Sequence, residues 1–293
     1  MLGKLVGYSV RFDAMFSSST RIKYLTDGML LREAILTPNL DHYSIVILDE
    51  IHERSLHSDV LLGMMRKLLE ARNDLKVLAM SATPDTAKLV QYLPDCGVVE
   101  IPGRCHPVEL FYLSQPEPDY VEAASIAIIQ LHLSLPGGDM LVFLPGQEEI
   151  DSLEEILIEK RKLLSSNALD IEVVPLYSAL PHERQMKAFR TTSYGSRKII
   201  IATNIAETSV TVPGVKYVID TGMCKIRKYL HTKGVGVLHE APISKAAAIQ
   251  RAGRAGREFP GQCYRLYPST AYDKLEDSTI PVVLVLYNRK YLE

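Results

Sequence analysis

Residues 45–48, Ile45-Val46-Ile47-Leu48, are apolar and mostly β-branched with no polar position between them. That is the pattern of a strand buried on both faces, as in a parallel sheet with helices on each side. An apolar run returns at 140–144, further strands are expected over 171–176, 198–202 and 215–219, and the stretches 120–135, 148–164 and 182–189 between them read as helices. Repeated strand and helix alternation predicts a parallel α/β sheet. Upstream, strands are expected over 5–12 and 22–25, followed by a helix over 29–36 that Thr26 and Asp27 cap and Pro38 closes. Leu56, Val60, Leu61, Met64 and Leu68 recur at helical spacing as a core stripe, and 76–80 reads as a strand ending at Ser81 and Thr83, with Pro84 at a helix start. A strand near 98–101 precedes Pro102-Gly103 and Pro107, which punctuate the chain before a strand over 108–113. Runs at 225–230 and 235–240 flank a Gly-containing turn and predict a β-hairpin. The Pro-Gly punctuation sets a boundary between residues 1–104 and 105–281, and the chain ends in a divergent tail over 282–293 that opens on the apolar run 282–287.

Composition changes this picture little. A chain of 293 residues with 47% hydrophobic residues accommodates two packed α/β domains. Thirty-three basic and 35 acidic side chains leave a net charge of −2, so any nucleic-acid contact must be a local basic surface rather than a global field. Cys96, Cys105, Cys224 and Cys263 show neither metal-ligand spacing nor disulfide density, which suits a reducing compartment. No apolar run has the length of a membrane span, and the first residues lack the apolar core of a signal peptide. An intracellular protein without a membrane segment is expected.

The chemistry begins with Asp49 and Glu50, which follow the 45–48 run at once. Carboxyl ends of strands in an open α/β sheet face the ligand crevice, where uncompensated negative charge is costly. A cation is therefore implied, and magnesium carrying nucleotide phosphates fits, with Asp49 holding it through water and Glu50 orienting or deprotonating an attacking water. Two exposed loop acids are the alternative. His52, Glu53 and His57 do not form a zinc site, since histidines five apart diverge around a helix. Thr203 and Asn204 lie just past the 198–202 strand, with Thr208 and Ser209 one turn on. Arg251, Arg254 and Arg257 fall every third residue, toward one side if helical, while Gly253 and Gly256 permit close approach and only Glu258 is near in sequence. An arginine cluster without local acids suits phosphate, and a solvated basic face is the alternative.

Six segments together carry a resemblance: Thr26-Asp27-Gly28-Met29-Leu30, Asp49-Glu50-Ile51-His52, Ser81-Ala82-Thr83, the 143–149 stretch Phe-Leu-Pro-Gly-Gln-Glu-Glu, the 202–209 stretch Ala-Thr-Asn-Ile-Ala-Glu-Thr-Ser, and the 250–257 stretch Gln-Arg-Ala-Gly-Arg-Ala-Gly-Arg. In this order they resemble the motifs of the DEAH-box branch of superfamily 2 helicases, over residues 3 to about 280. Ile51 replaces the usual alanine, and Pro145 stands where many members carry threonine. The resemblance implies an α/β fold of two tandem RecA-like parallel-sheet lobes, the first truncated at its N-terminus, with ATP or another NTP and Mg²⁺ as cofactors and RNA as partner. It assigns Glu50, Gln250, Arg254 and Arg257 to catalysis, Arg254 and Arg257 as fingers on the γ-phosphate and Gln250 as positioner of the attacking water. Asp49, Glu50, Ser81 and Thr83 join those arginines at the nucleotide, with Asp49 and Glu50 toward the metal. His52, Ser81 and Thr83 are couplers, and Thr26, Asp27, Gly146, Gln147, Thr203, Asn204 and Thr208 face nucleic acid. In the hairpin, Lys225, Arg227, Lys228 and Lys233 are expected to track the RNA backbone, and Tyr229 or Leu230 to meet a base pair.

No Gly-x-x-x-x-Gly-Lys-Ser/Thr phosphate loop occurs in the 293 residues. Two readings stand: an ATP-dependent RNA helicase represented by an incomplete chain, inactive as it stands, or a short non-catalytic product that binds RNA or a partner. The family's setting implies the nucleus or nucleolus, a monomer, and a G-patch-type activator or an RNP particle as partner.

Overall fold

The computed structural model describes residues 2–82, 87–93, 95–103, 105–165, 168–208, 210–230 and 235–278, with the backbone alone at 87–88, 227–230 and 235–236. Thr83, Pro84, Ser209, Lys233, the tail over 282–293 and the side chains of Arg227, Lys228, Tyr229 and Leu230 lie outside the described residues. The chain divides into two compact units, one drawn from residues up to Val99 and the other spanning Glu100–Thr279.

In the first unit, β1 (Val6–Val10) pairs antiparallel with β2 (Asp13–Met15) and parallel with β3 (Ile22–Leu25). Helix α1 (Asp27–Leu36) leads to β4 (Ile45–Leu48), and α2 (Leu56–Ala71) to β5 (Lys76–Ala79), which runs parallel to β4; the short α3 (Ala87–Tyr92) follows. One cluster of Leu30, Ala34, Val46, Leu48, Leu61, Met65 and Leu68 joins both helices to β4. Each fully buried aliphatic side chain of this kind stabilises by roughly 1.5–3 kcal/mol.

Three expectations are corrected here. Strand β4 is buried on one face only among the described residues: Val46 and Leu48 lie under the helices, whereas Ile45 and Ile47 remain 57% and 55% exposed. The buried stripe of α2 is Ser58, Leu61, Met65 and Leu68, because the helix turns Leu56 and Val60 partly toward solvent. Residues 98–101 form no strand, pairing with no edge among the described residues, and Val98, Val99 and Ile101 are exposed.

The second unit is built on six parallel strands. In chain order they are β6 (Val108–Tyr112), β7 (Asp139–Phe143), β8 (Asp170–Leu176), β9 (Ser196–Ala202), β10 (Val215–Asp220) and β13 (Gly261–Arg265), arranged β6-β13-β10-β7-β9-β8. Helices α4 (Tyr120–Ser134) and α5 (Gln147–Arg161) supply one apolar layer with Met140, Val142, Ile199, Ile201 and Ile219. On the opposite face Leu141, Phe143, Ile200 and Val218 pack with Ala252 and Ala255. Both faces of β7 are thus covered, which is why its run carries no polar alternation. The short α6 (His182–Gln185) continues as a 3₁₀ turn to Phe189. The hairpin is present as expected: β11 (Met223–Leu230) pairs antiparallel with β12 (Val235–Pro242), apart from the six-stranded sheet. Helix α7 (Lys245–Gly253) and the short α8 (Ser269–Asp273) complete the unit. Among the described residues, no helix is long and apolar enough to cross a membrane.

Candidate functional site

In the first unit the acidic pair sits just past the carboxyl end of β4. Asp49 Oδ1 accepts from the Glu50 amide at 2.8 Å, and Glu50 adopts a left-handed backbone (φ 51°, ψ 36°) that opens a 3₁₀ turn over Ile51–Glu53. A non-glycine residue there costs on the order of 1–3 kcal/mol and persists where surrounding contacts enforce it. The enforcing contacts are the Ile51 amide on Met80 O at 3.0 Å, which joins the turn to the end of β5, and burial of the Ile51 side chain. His52 is almost fully enclosed: Nδ1 accepts from the Ala82 amide at 3.2 Å, and Nε2 lies 3.3 Å from Glu50 Oε2, within ion-pair range though outside hydrogen-bond geometry. The acceptor role of Nδ1 places the ring proton of a neutral imidazole on Nε2, facing the carboxylate. His52 thus accepts from the Ala82 amide on one side and lies beside the Glu50 carboxylate on the other.

Thr26 caps α1 through its backbone, with its carbonyl taking the Met29 and Leu30 amides; its hydroxyl makes no cap bond. Asp27 opens the helix, and burial raises its carboxyl above the usual range, partly countered by His57 and reinforced by Glu53.

In the second unit the expected residues collect at the carboxyl edge of the sheet, where open α/β folds bind ligands. Gly146 caps α5 just past β7, and Gln147 donates to Asp151 at 3.3 Å. Thr203 continues β9 by donating its amide to Leu176 O and caps the short turn Asn204–Ala206. Thr221, just past β10, donates its hydroxyl to Phe143 O at 2.8 Å.

The arginine cluster differs from expectation. Helix α7 ends at Gly253, so Arg254 and Arg257 lie beyond it, and acids distant in sequence neutralise Arg251. Arg251, wholly buried, donates from Nε to Glu207 Oε2 at 3.0 Å and from Nη1 to Asp220 Oδ1 at 2.8 Å, and its guanidinium lies 4.8 Å from the centroid of the Phe143 ring. Burial works against its charge, but Asp220 and Glu207 outweigh that and raise its pKa further. Arg254 is also buried and donates to the carbonyls of Glu207, Thr208 and Val210. Arg257 is exposed and donates to Thr211 Oγ1 at 3.1 Å. Gln250 is half-buried on α7. Glu258, the one acid near in sequence, accepts instead from the Gly214 amide. The two glycines separate as well: a Cβ on Gly253 would meet open space, whereas one on Gly256 would come 2.5 Å from His106 O and 2.7 Å from Val108 Cγ2. Gly256 is needed for packing against the start of β6.

Lys225 is a second correction. Its Nζ lies 2.9 and 3.0 Å from the Glu149 carboxylate oxygens and 3.8 Å from Glu148 Oε2, so its charge is engaged within the protein rather than offered to a nucleic-acid backbone. The Asp220-centred network was missed from sequence, although an acid at a strand's carboxyl end followed by Thr-Gly is the signal that marks it. Asp220 Oδ1 also takes the Gly222 amide, and Oδ2 takes the Tyr267 hydroxyl at 3.1 Å.

The parallel sheet with threonines, a helix N-terminus and arginines at its carboxyl edge has a RecA-like fold, and the family model of the helicase conserved C-terminal domain matches residues 123–258. Over most of its length the chain is similar to DEAH-box helicases. It is 47% identical over 288 residues to the ATP-dependent RNA helicase DHX33 of Mus musculus and 48% identical to that of Homo sapiens, covering 96% of this chain and 41% of each relative. The crystal structure of the Escherichia coli DEAH/RHA helicase HrpB superposes with a TM-score of 0.87 at 36% identity, covering 96% of this chain and 35% of that one. A crystal structure of the E. coli DExH-box NTPase HrpB gives 0.83 at 36% identity. The chain therefore spans about two fifths of the length of its curated relatives and about a third of the solved chains.

Proposed function

We infer that the chain serves an ATP-dependent RNA helicase of the DEAH type, coupling NTP hydrolysis to RNA unwinding or RNP remodelling, in a nuclear or nucleolar setting with a G-patch-type activator as partner. The observation that carries this reading is the joint formed by Glu50, His52 and the Ala82 amide, which ties a carboxylate at a strand's carboxyl end to the segment expected to couple hydrolysis to movement. Asp49 and Glu50 are hard oxygen donors side by side, a set that fits magnesium held through water, and Asp49 keeps Oδ2 for that purpose while Oδ1 takes the Glu50 amide. Bound magnesium supplies neutralisation of phosphate charge. Glu50 accepts the proton of the attacking water, with the His52 ring beside it. Ser81 and Thr83 relay that state, and Gln250 orients the water. Arg257, exposed at the carboxyl edge, answers developing phosphate charge. Arg254 serves through the loop it shapes, since its guanidinium holds the carbonyls around Thr208 in place. Thr26, Asp27, Gly146, Gln147, Thr203, Asn204 and Thr208 bind RNA through the backbone, which suits a chain with no global basic field.

The 293 residues hold no phosphate loop, and this observation favours a second reading in which the chain binds RNA without hydrolysing ATP by itself. Fluorescence anisotropy with single-stranded RNA, together with an ATPase assay, separates the possibilities. The expected result is salt-dependent RNA binding, weakened roughly tenfold by Thr203→Ala with Asn204→Ala, and no RNA-stimulated turnover. Absence of RNA binding at low salt would overturn the reading. Turnover that vanishes in Glu50→Gln would overturn the inference of inactivity.

A further inference from the structure

The β11–β12 ribbon stands apart from the six-stranded sheet, and an isolated two-stranded hairpin is marginal in water. Its direction must come from its root. There Lys225 on β11 and Glu240 on β12 face each other across the ladder, and each is tied to a different helix. Lys225 is ion-paired to Glu149 in the first turn of α5, and Glu240 Oε2 accepts from the Tyr120 hydroxyl of α4 at 3.1 Å. Both members of the Lys225–Glu149 pair are largely enclosed, at 22% and 13% side-chain exposure. Gly146 shares the contact: a Cβ there would lie 2.5 Å from Lys225 Nζ and 2.8 Å from Glu149 Oε2, so the cap of α5 is shaped around the lysine. Burial works against the Glu149 charge, yet its pKa is lowered because Lys225 prevails, and burial with Glu240 raises that of Tyr120.

We propose that Lys225 and Glu149 are positioning residues that lock the hairpin to the N-terminus of α5, so that a duplex end meets the hairpin at a fixed distance from the strand held at Gly146 and Gln147. The proposal rests on the RNA-binding reading above. The lysine acts through posture and not through contact with phosphate. It fixes the root of the hairpin relative to the N-terminus of α5.

The test uses the 293-residue chain with Glu149→Gln, Lys225→Met and the double variant. Anisotropy compares a single-stranded RNA with a duplex carrying a 3′ overhang of the same sequence, and hydrogen exchange follows the β11–β12 amides. The two single variants change net charge in opposite directions, so an effect of the same sign in both cannot come from attraction to phosphate. Expected are a severalfold loss of preference for the overhang duplex in each, single-strand affinity within about twofold of the parent, and a double variant no worse than either single. Hairpin amides should exchange about tenfold faster while those of β7 and β10 do not change. Unchanged hairpin exchange, additive losses, or opposite effects of the two substitutions would overturn the proposal. Failure of the parent chain to bind RNA would remove the RNA-binding reading alone, and hydrogen exchange would still decide the lock.

Discussion

Replacing Arg251 by Met should destabilise the second unit more than any other single change among its motif arginines. The side chain is wholly buried and satisfies Asp220, itself wholly buried, at 2.8 Å, as well as Glu207 at 3.0 Å and Met223 O at 3.2 Å. Methionine fills much of the volume against Phe143 but leaves the Asp220 carboxylate, among the described residues, with the Gly222 amide and the Tyr267 hydroxyl as partners. Breaking a buried pair by removing one member costs about 3–5 kcal/mol, because the remaining charge stays desolvated and uncompensated. At about 2–4 °C per kcal/mol for a unit of roughly 150–250 residues, the melting temperature should fall by about 6–20 °C. Circular dichroism melts of the chain measure this, with Arg257→Met as the exposed control expected to stay within about 0.5 kcal/mol. Adding Asp220→Asn should return part of the loss, since it removes the charge that Arg251 neutralised. A melting temperature for Arg251→Met equal to that of Arg257→Met, or a double variant worse than the sum of its parts, would refute the buried-pair argument.

What was legible in the sequence was local. The strands at 140–144, 198–202 and 215–219 were legible because both faces of β7, β9 and β10 are packed and their residues are mostly apolar, and the hairpin announced itself through two runs and a glycine between them. The 45–48 run has the same composition but a half-exposed strand, so composition states what a strand tolerates and not what covers it. The arginine cluster was misread for a different reason. Its counter-ions come from 44 and 31 residues away, and no local pattern shows that Glu207 and Asp220 converge on Arg251. Lys225 is the same case at 76 residues' separation from Glu149: as one cation in a basic hairpin it suggested RNA, and the fold gives it a carboxylate. Charges near a sheet's carboxyl edge are read correctly only once the long-range acids are placed.

Further outcomes follow from His132 and from the two motif glycines. Burial, with Arg197 nearby, holds His132 below its ordinary value of 6.5, and its Nε2 meets Leu169 O at 3.0 Å. The unfolded chain therefore binds the proton more readily, so stability fully present above pH 6.5 is lost as pH falls through the lower folded value; melts in acid should show a smaller pH dependence for His132→Gln than for the parent. The two motif glycines should behave oppositely. Gly253 ends α7 with open space at its Cβ position and without a positive φ, so Gly253→Ala should be neutral or stabilise by about 0.5–1 kcal/mol through reduced backbone entropy of the unfolded chain. Gly256→Ala places a methyl against the His106 carbonyl and Val108, backbone and β-branched neighbours that cannot swing away, and overpacking of that kind costs about 1–3 kcal/mol. Equal melting temperatures for the two alanine variants would mean that the glycine beside Arg257 is there for ligand approach and not for the packing of β6.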